Sequence, residues 1–165
     1  MADRAIRWID ANVLITAADG PFRFSINPGF WTFIDEQIKA GTIRSPKMVY
    51  DEIVTNVGAG DELSKWIRNR RQSGLFVPSS ASVQAEMKKI ADFVMANHPQ
   101  RHAAEFLRGA DGWLIAHAIE SKGTVITFET RQTGALRVKI PNVCDRFNVS
   151  CINPYDMLEE LKGGI

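Results

Sequence analysis

The chain alternates short apolar runs with longer segments in which apolar residues recur every three or four positions. The short runs predict strands at residues 5–9 (AIRWI), 75–78 (LFVP), 124–128 (TVITF) and 149–153 (VSCIN). The longer segments predict helices at residues 12–18, 28–41, 46–57, 60–72, 80–98, 102–107, 111–122, 141–147 and 154–162. Strands that alternate with helices are typical of a parallel sheet covered on both faces, so the pattern predicts an α/β fold.

Composition narrows the class of protein. The 165 residues are 45% hydrophobic and 24% charged, which predicts one domain (residues 1–165) with a substantial core. The net charge of +1 excludes a global basic field, so any contact with nucleic acid needs a local patch. Cys144 and Cys151 are too few for a disulfide scaffold and are expected to be reduced core residues. No apolar run reaches membrane-spanning length and the N-terminus is charged, so we expect a cytoplasmic protein.

Four acidic residues stand where the predicted fold would gather them. Asp10 follows the first strand, Glu129 follows TVITF, Asp111 opens a helix, and Glu52 lies at the edge of an apolar helix stripe. The carboxyl ends of parallel strands meet in one crevice, and carboxylates gathered there repel each other unless a cation neutralises them. An all-oxygen set favours a hard cation, so the pattern indicates a Mg²⁺ or Mn²⁺ site.

Asp111 carries the most information of the four. Leu114, Ile115, Ala118 and Ile119 form an apolar stripe on its helix, and Asp111 lies on that stripe. A buried carboxylate there is costly unless it is paired. The alternative interpretation is an N-terminal cap on the helix dipole. His117 lies on the other side of this predicted helix, together with Glu120, where solvated residues are expected.

Each other acid also has an ordinary interpretation. Asp10 is consistent with a turn or cap, Glu52 with a surface charge and Glu129 with an exposed loop residue. A phosphatase of the haloacid-dehalogenase type needs an acid two residues after Asp10, where this chain has Asn12. The histidines, at 98, 102 and 117, lack zinc-ligand spacing and are expected to be structural or surface residues. Neither a P-loop nor a GxGxxG motif is present in the sequence.

Basic residues cluster in two stretches of the chain. Lys65, Arg68, Arg70 and Arg71 share one predicted helix, and Arg131, Arg137 and Lys139 follow Glu129. A basic helix face is usually only solvated. If these groups flank the carboxylates, they could instead hold a phosphate backbone.

The order of these motifs resembles the PIN-domain nucleases, and among them a PIN-like branch long described only as a domain of unknown function. The resemblance rests on WIDANVLI, a Glu in a helix about forty residues on, GADGWLIAHA and TVITFE, and continues through RVKIPNVC and CINPYDML. It implies a three-layer α/β/α fold with a central parallel sheet and a Mg²⁺- or Mn²⁺-dependent nuclease site. By this resemblance Asp10, Glu52 and Asp111 match the three acidic positions, Asn12 a small polar position and Glu129 a fourth acid.

Many small bacterial PIN-domain proteins are toxins of toxin–antitoxin modules that cleave RNA, so the resemblance implies an endoribonuclease toxin with RNA as substrate. Its partners would be a cognate antitoxin and, as one option, a second copy of the chain. We expect Asp10, Glu52 and Asp111 to hold the metal, with Glu129 in the catalytic set. Behind them, Asn12 and Thr127 would hold carboxylates and substrate. The expected RNA contacts are Lys65, Arg68, Arg71 and Arg131.

Two alternatives remain open at the level of the sequence. One is a metal-dependent phosphatase on a similar sheet, which would hydrolyse a small phosphate ester without cleaving RNA. The other is a binding module whose pocket holds a metal only for structure, which would bind the metal without any turnover.

Overall fold

Five short strands form one parallel sheet in the computed structural model, which describes residues 5–134 and 136–162. The strands are β1 (Arg7–Ile9), β2 (Ile43–Pro46), β3 (Phe76–Val77), β4 (Thr124–Ile126) and β5 (Ser150–Ile152). Their order across the sheet is β3-β2-β1-β4-β5, and each neighbouring pair is parallel. The chain builds outward from β1 to one side and then crosses to the other. The carboxyl ends of β1 and β4 therefore flank the point where the topology switches, which is the usual place of a crevice in such folds.

Nine helices connect and cover these strands within the described residues. They are α1 (Ala11–Asp19), α2 (Pro28–Ala40), α3 (Lys47–Asn56), α4 (Glu62–Asn69), α5 (Ala81–Asn97), α6 (Gln100–Arg108), α7 (Asp111–Ser121), α8 (Ile140–Arg146) and α9 (Pro154–Lys162). Their ends follow local chemistry, since the Asn27 side chain accepts the Phe30 N–H before α2 and Ser80 accepts the Val83 N–H before α5. Gly41 ends α2 in the left-handed conformation, at φ 76°.

The core divides into two layers, one on each face of the sheet. Ile9, Ile43 and Ile126 pack with α1 to α4 and with Met157 of α9. Trp8 and Val125, which alternate with them along the strands, pack with α5 to α8. Both faces of the central strands are thus covered by helices, and this confirms the predicted three-layer α/β/α fold with a central parallel sheet.

One strand was not predicted from the sequence. The pattern indicated that Ser45 and Pro46 begin a helix, but both belong to β2, which lies between β1 and β3. Proline usually excludes a central strand because it has no N–H to donate. Pro46 is the last residue of β2 and pairs in register with Val77. The donors come from Ser45, whose N–H donates to Leu75 O (2.7 Å) and whose hydroxyl donates to Ile9 O (2.7 Å).

The prediction that His117 is solvated was wrong. His117 is buried because α7 lies between the sheet and α5, so that two faces of this helix are covered. Its ring stacks on Trp8 with 4.6 Å between the ring centroids, and burial lowers its pKa to about 4. Glu120 is exposed, as expected.

Two further expectations concern the cysteines and the ability of the helices to cross a membrane. Cys144 is buried and Cys151 is partly buried, and neither forms a disulfide in the described residues; that they are reduced stays a prediction. In the part of the chain that the structure describes, every helix is too short or too polar to cross a bilayer.

Candidate functional site

Asp10 lies at the carboxyl end of the central strand and is almost fully buried, with 3% of its surface exposed. Its N–H donates to Ile126 O (3.1 Å), so its backbone still belongs to the pairing of β1 with β4. Its carboxylate accepts two hydrogen bonds, one from the Thr127 hydroxyl at 3.0 Å and one from the Asn12 N–H at 3.5 Å. Asp10 is therefore the N-cap of α1, but the capping bond is long and the bond from Thr127 is the better one.

Thr127 and Glu129 form a short hydrogen-bonded chain that ends at Asp10. The Glu129 N–H donates to the Thr127 hydroxyl oxygen (3.1 Å), and the Thr127 hydroxyl donates to Asp10. The side chain of Glu129 turns towards α8, where one of its oxygens accepts the Ile140 N–H at 2.8 Å. Lys139, the N-cap of α8, supplies no capping bond of its own, so Glu129 satisfies a free N–H at that helix start.

Asp111 is the first residue of α7 and does not cap it. The N-cap is Ala110, and no side chain makes a capping hydrogen bond to this helix within the described residues. The pKa of Asp111 is raised to about 8, first by burial and then by the charges of Asp10, Glu129 and Glu52, in that order. A carboxylate at a helix N-terminus is normally stabilised by the dipole. Here the desolvation and the three nearby acids outweigh that effect.

The same physical causes act on Asp10. Its pKa is raised to about 6, mainly by burial. The hydrogen bond from Thr127 opposes this rise, and the charges of Glu129 and Glu52 add to it. The structure thus brings all four predicted acids into mutual electrostatic reach, although they come from four different segments of the chain.

Two adjacent clefts open beside these acids. The larger, about 520 Å³, is lined by Met48, Asp51, Glu52, Thr55, Asn56, Glu105, Arg108, Gly109 and Ala110. The smaller, about 180 Å³, is lined by His102, Glu105, Phe106, Asp111, Glu129, Arg137, Val138 and Lys139. Glu52 therefore faces one cleft, while Asp111 and Glu129 face the other. Glu105 of α6 lines both.

The donor set fits a hard divalent cation. All four acids offer carboxylate oxygens, and two of them carry pKa values raised by burial and mutual repulsion, which a cation would relieve. Within residues 5–134 and 136–162, no three His, Cys, Asp or Glu side chains are grouped closely enough to hold a metal ion together. Mg²⁺ does not require such a group, since it usually takes one or two protein carboxylates and keeps several waters.

The residues predicted to contact RNA lie apart from these clefts. Arg68 and Arg71 are in or just after the last turn of α4, from which residues 70–74 lead into the amino end of β3. This end of α4 therefore leads to the amino ends of the strands, whereas the carboxylates lie at the carboxyl ends. Lys65 is exposed on the same helix, and Arg131 forms an ion pair with Asp145 at 2.7 Å. None of these four residues lines either cleft.

Asn12 contributes less than its position suggested. Asn12 contacts Asp10 only through its backbone N–H, and the residue is exposed to solvent at the start of α1. Any contact of its side chain with substrate stays a prediction. The contact expected of Thr127, a hydrogen bond to a carboxylate, is present.

The two clefts are also lined by residues that the sequence analysis did not single out. His102, Glu105 and Arg108 all come from α6, and His102 was expected to be structural or a surface residue. The Nδ1 atom of His102 is buried without a hydrogen-bond partner among the described residues, 3.7 Å from a Glu105 oxygen. The segment HAAEFLR shows only helical periodicity, so nothing in it indicated proximity to the acids; that follows from how α6 packs beside α7.

Residues 8–164 match the family described as "Domain of unknown function (DUF4411)", and the chain therefore belongs to that family. No curated protein matches the chain.

The raised pKa of Asp111 predicts a pH-dependent stability in the absence of metal. The folded-state pKa of about 8 exceeds the unfolded value of 3.8, so the folded protein keeps a proton that the unfolded chain releases. The free energy of unfolding should then fall as pH rises from about 4 to about 8, by at most about 1.4 kcal/mol per pH unit. His117 acts with the opposite sign below pH 6.5, so the clean window lies above that value.

Denaturant unfolding in EDTA between pH 6.5 and 8 measures this effect. Asp111→Asn should remove the fall and be more stable than the parent at pH 8. Glu120→Gln, an exposed change on the same helix, should retain the parental slope. A parental slope in Asp111→Asn would show that the Asp111 carboxyl ionises normally.

Proposed function

We propose that this protein is a Mg²⁺- or Mn²⁺-dependent endoribonuclease of the PIN-domain type that acts as the toxin of a toxin–antitoxin module. The observation that carries the proposal is the convergence of Asp10, Glu52, Asp111 and Glu129 at one edge of the sheet, with the Asp111 pKa raised to about 8. Such repulsion costs stability and has no role in the fold. It is expected where a site awaits a cation and an anionic substrate.

Asp10 and Asp111 are the residues that would hold the ion, with Glu52 as a ligand or as a group that orients water. When bound, the ion would lower the pKa of a water molecule and stabilise negative charge on the phosphodiester. Asp10 directly follows β1 and Asp111 begins α7, and these two elements pack against each other, so the core fixes the separation of the two acids. This rigidity suits a site whose main task is to hold charges at defined positions.

Thr127 would act as a positioning residue. Its hydroxyl holds one Asp10 oxygen at 3.0 Å and leaves that carboxylate with further lone pairs for a ligand. Glu129 accepts the Ile140 N–H through one oxygen, and its other oxygen accepts no hydrogen bond from the described residues. Both Asp10 and Glu129 therefore keep lone pairs that a ligand could use.

The assignment to RNA and to the toxin class rests on the resemblance of WIDANVLI, GADGWLIAHA and TVITFE to PIN-domain nucleases, as do the proposed antitoxin and a homodimer. A toxin that cleaves cellular RNA would act in the cytoplasm. These parts of the proposal need tests separate from the test of the chemistry.

Cleavage of single-stranded RNA tests the chemistry. The parent should cleave with Mg²⁺ or Mn²⁺, stop in EDTA and recover when either metal is restored. Asp10→Asn keeps the shape of the side chain but removes its charge, so the rate should fall on the order of 10²-fold or more. Glu120→Gln should cleave like the parent. Cleavage that persists in excess EDTA would contradict the proposal, and hydrolysis of a small phosphate ester without RNA cleavage would indicate a phosphatase.

Induced expression in a bacterial host tests the toxin assignment. The parent should arrest growth, and Asp10→Asn at equal abundance should relieve the arrest because the proposed damage requires catalysis. Growth and protein level, the latter by immunoblot, are measured together. If both proteins are equally harmful, or both harmless while the parent cleaves RNA in vitro, the nuclease proposal stands and the toxin proposal fails.

A further inference from the structure

Three cationic side chains border the clefts beside the carboxylates. Arg108 is exposed at the end of α6 and lines the larger cleft, whereas Arg137 and Lys139 line the smaller one. Within residues 5–134 and 136–162, none of the three forms an ion pair. By contrast, Arg131 is paired with Asp145 and Arg70 with Asp35. The cations at the clefts therefore remain available to an external anion.

The end of α6 forms the wall between the two clefts. Glu105 lines both of them, Arg108 lies one helical turn further on, and Asp111 begins the next helix three residues later. A ligand that occupies both clefts would meet Arg108 in the larger cleft and Asp111, Arg137 and Lys139 in the smaller one. Each cleft therefore contains carboxylates as well as at least one cation.

This distribution of charge does not suit a small anion. Acids line both clefts, with Asp51 and Glu52 in the larger, Asp111 and Glu129 in the smaller and Glu105 in both. A single phosphate near either set of cations would also face these acids. A chain of phosphates can contact the cations of both clefts at once, and the proposed metal would offset the repulsion from the acids along its path.

We infer that a single strand of RNA crosses the carboxylates from the larger cleft to the smaller, and that Arg108, Arg137 and Lys139 are its phosphate contacts. The inference rests on the proposed nuclease function and adds the path of its substrate. A single strand is specified because Asp10 is only 3% exposed, so the backbone must bend inward to approach it. A flexible backbone can bend into the clefts, whereas an A-form duplex is rigid and would span them.

Binding of a fluorescently labelled RNA, measured by anisotropy with Ca²⁺ in place of Mg²⁺, tests this path without relying on turnover. One triple variant carries Arg108→Ala, Arg137→Ala and Lys139→Ala. The matched triple carries Lys65→Ala, Arg68→Ala and Arg71→Ala, so it loses the same charge on α4, the helix that sequence reasoning favoured. A duplex of equal length is the substrate control.

The cleft triple should bind the single strand on the order of tenfold more weakly, or weaker still. Its slope of log Kd against log salt should be lower by about 0.7 for each phosphate that the variant no longer neutralises. The α4 triple should match the parent, and the duplex should bind the parent more weakly than the single strand does. If the two triples weaken binding equally, only the overall charge acts, and the inferred path is overturned. A larger loss of affinity in the α4 triple, or an unchanged salt slope in the cleft triple, also overturns it.

The outcome is separable from that of the proposed function. If RNA binding depends on the cleft cations but the parent cleaves no RNA with Mg²⁺ or Mn²⁺, the path stands and the nuclease proposal fails. If the parent cleaves RNA but the cleft triple keeps the parental KM and Kd, the nuclease proposal stands and the path fails. Should the cleft triple melt below the parent, Arg108→Gln and Arg137→Gln replace it singly, and each should lower the salt slope by about 0.7.

Discussion

Repulsion between closely placed carboxylates, with Asp10 buried and Asp111 partly buried, is the constraint on which the organisation of the site depends. Asp10 and Asp111 are held together by the packing of α7 on β1, and burial removes the water that would otherwise screen their charges. Their raised pKa values, about 6 and about 8, record the cost of that arrangement. The apolar core must offset this cost, because the same residues that form it also fix the positions of the two acids. A cation between them would turn the repulsion into binding energy.

The surrounding hydrogen bonds keep the acids in place without neutralising them. Thr127 donates to Asp10, and Glu129 is anchored by its N–H on Thr127 and by its carboxylate on Ile140. Glu129 thereby links the end of β4 to the start of α8 and brings Lys139 to the rim of the smaller cleft. The loop after β4 is thus part of the site, and its acid serves structure and electrostatics together.

Much of the fold could be predicted because local signals and tertiary structure agree in this chain. TVITF is short, β-branched and apolar, and β4 lies within it. The acids could be found because Asp10 ends a strand and Asp111 interrupts an apolar stripe. Other features depend on packing alone. IRSP contains a proline that normally excludes a central strand, and His117 is buried because its ring stacks on Trp8 of the central strand. Arg108 is near the acids only because α6 packs beside them, and no local pattern indicates that.

The central claim, that the converging carboxylates form a divalent-metal site, is tested most directly by diffraction from crystals grown with Mn²⁺. Anomalous scattering at the manganese edge locates the ion without reference to activity. The account predicts a peak between Asp10 and Asp111, in direct contact with a carboxylate oxygen of each, that disappears in Asp111→Asn crystals grown under the same conditions. A peak elsewhere on the surface, or none at millimolar Mn²⁺ with both carboxylates well ordered, would contradict it.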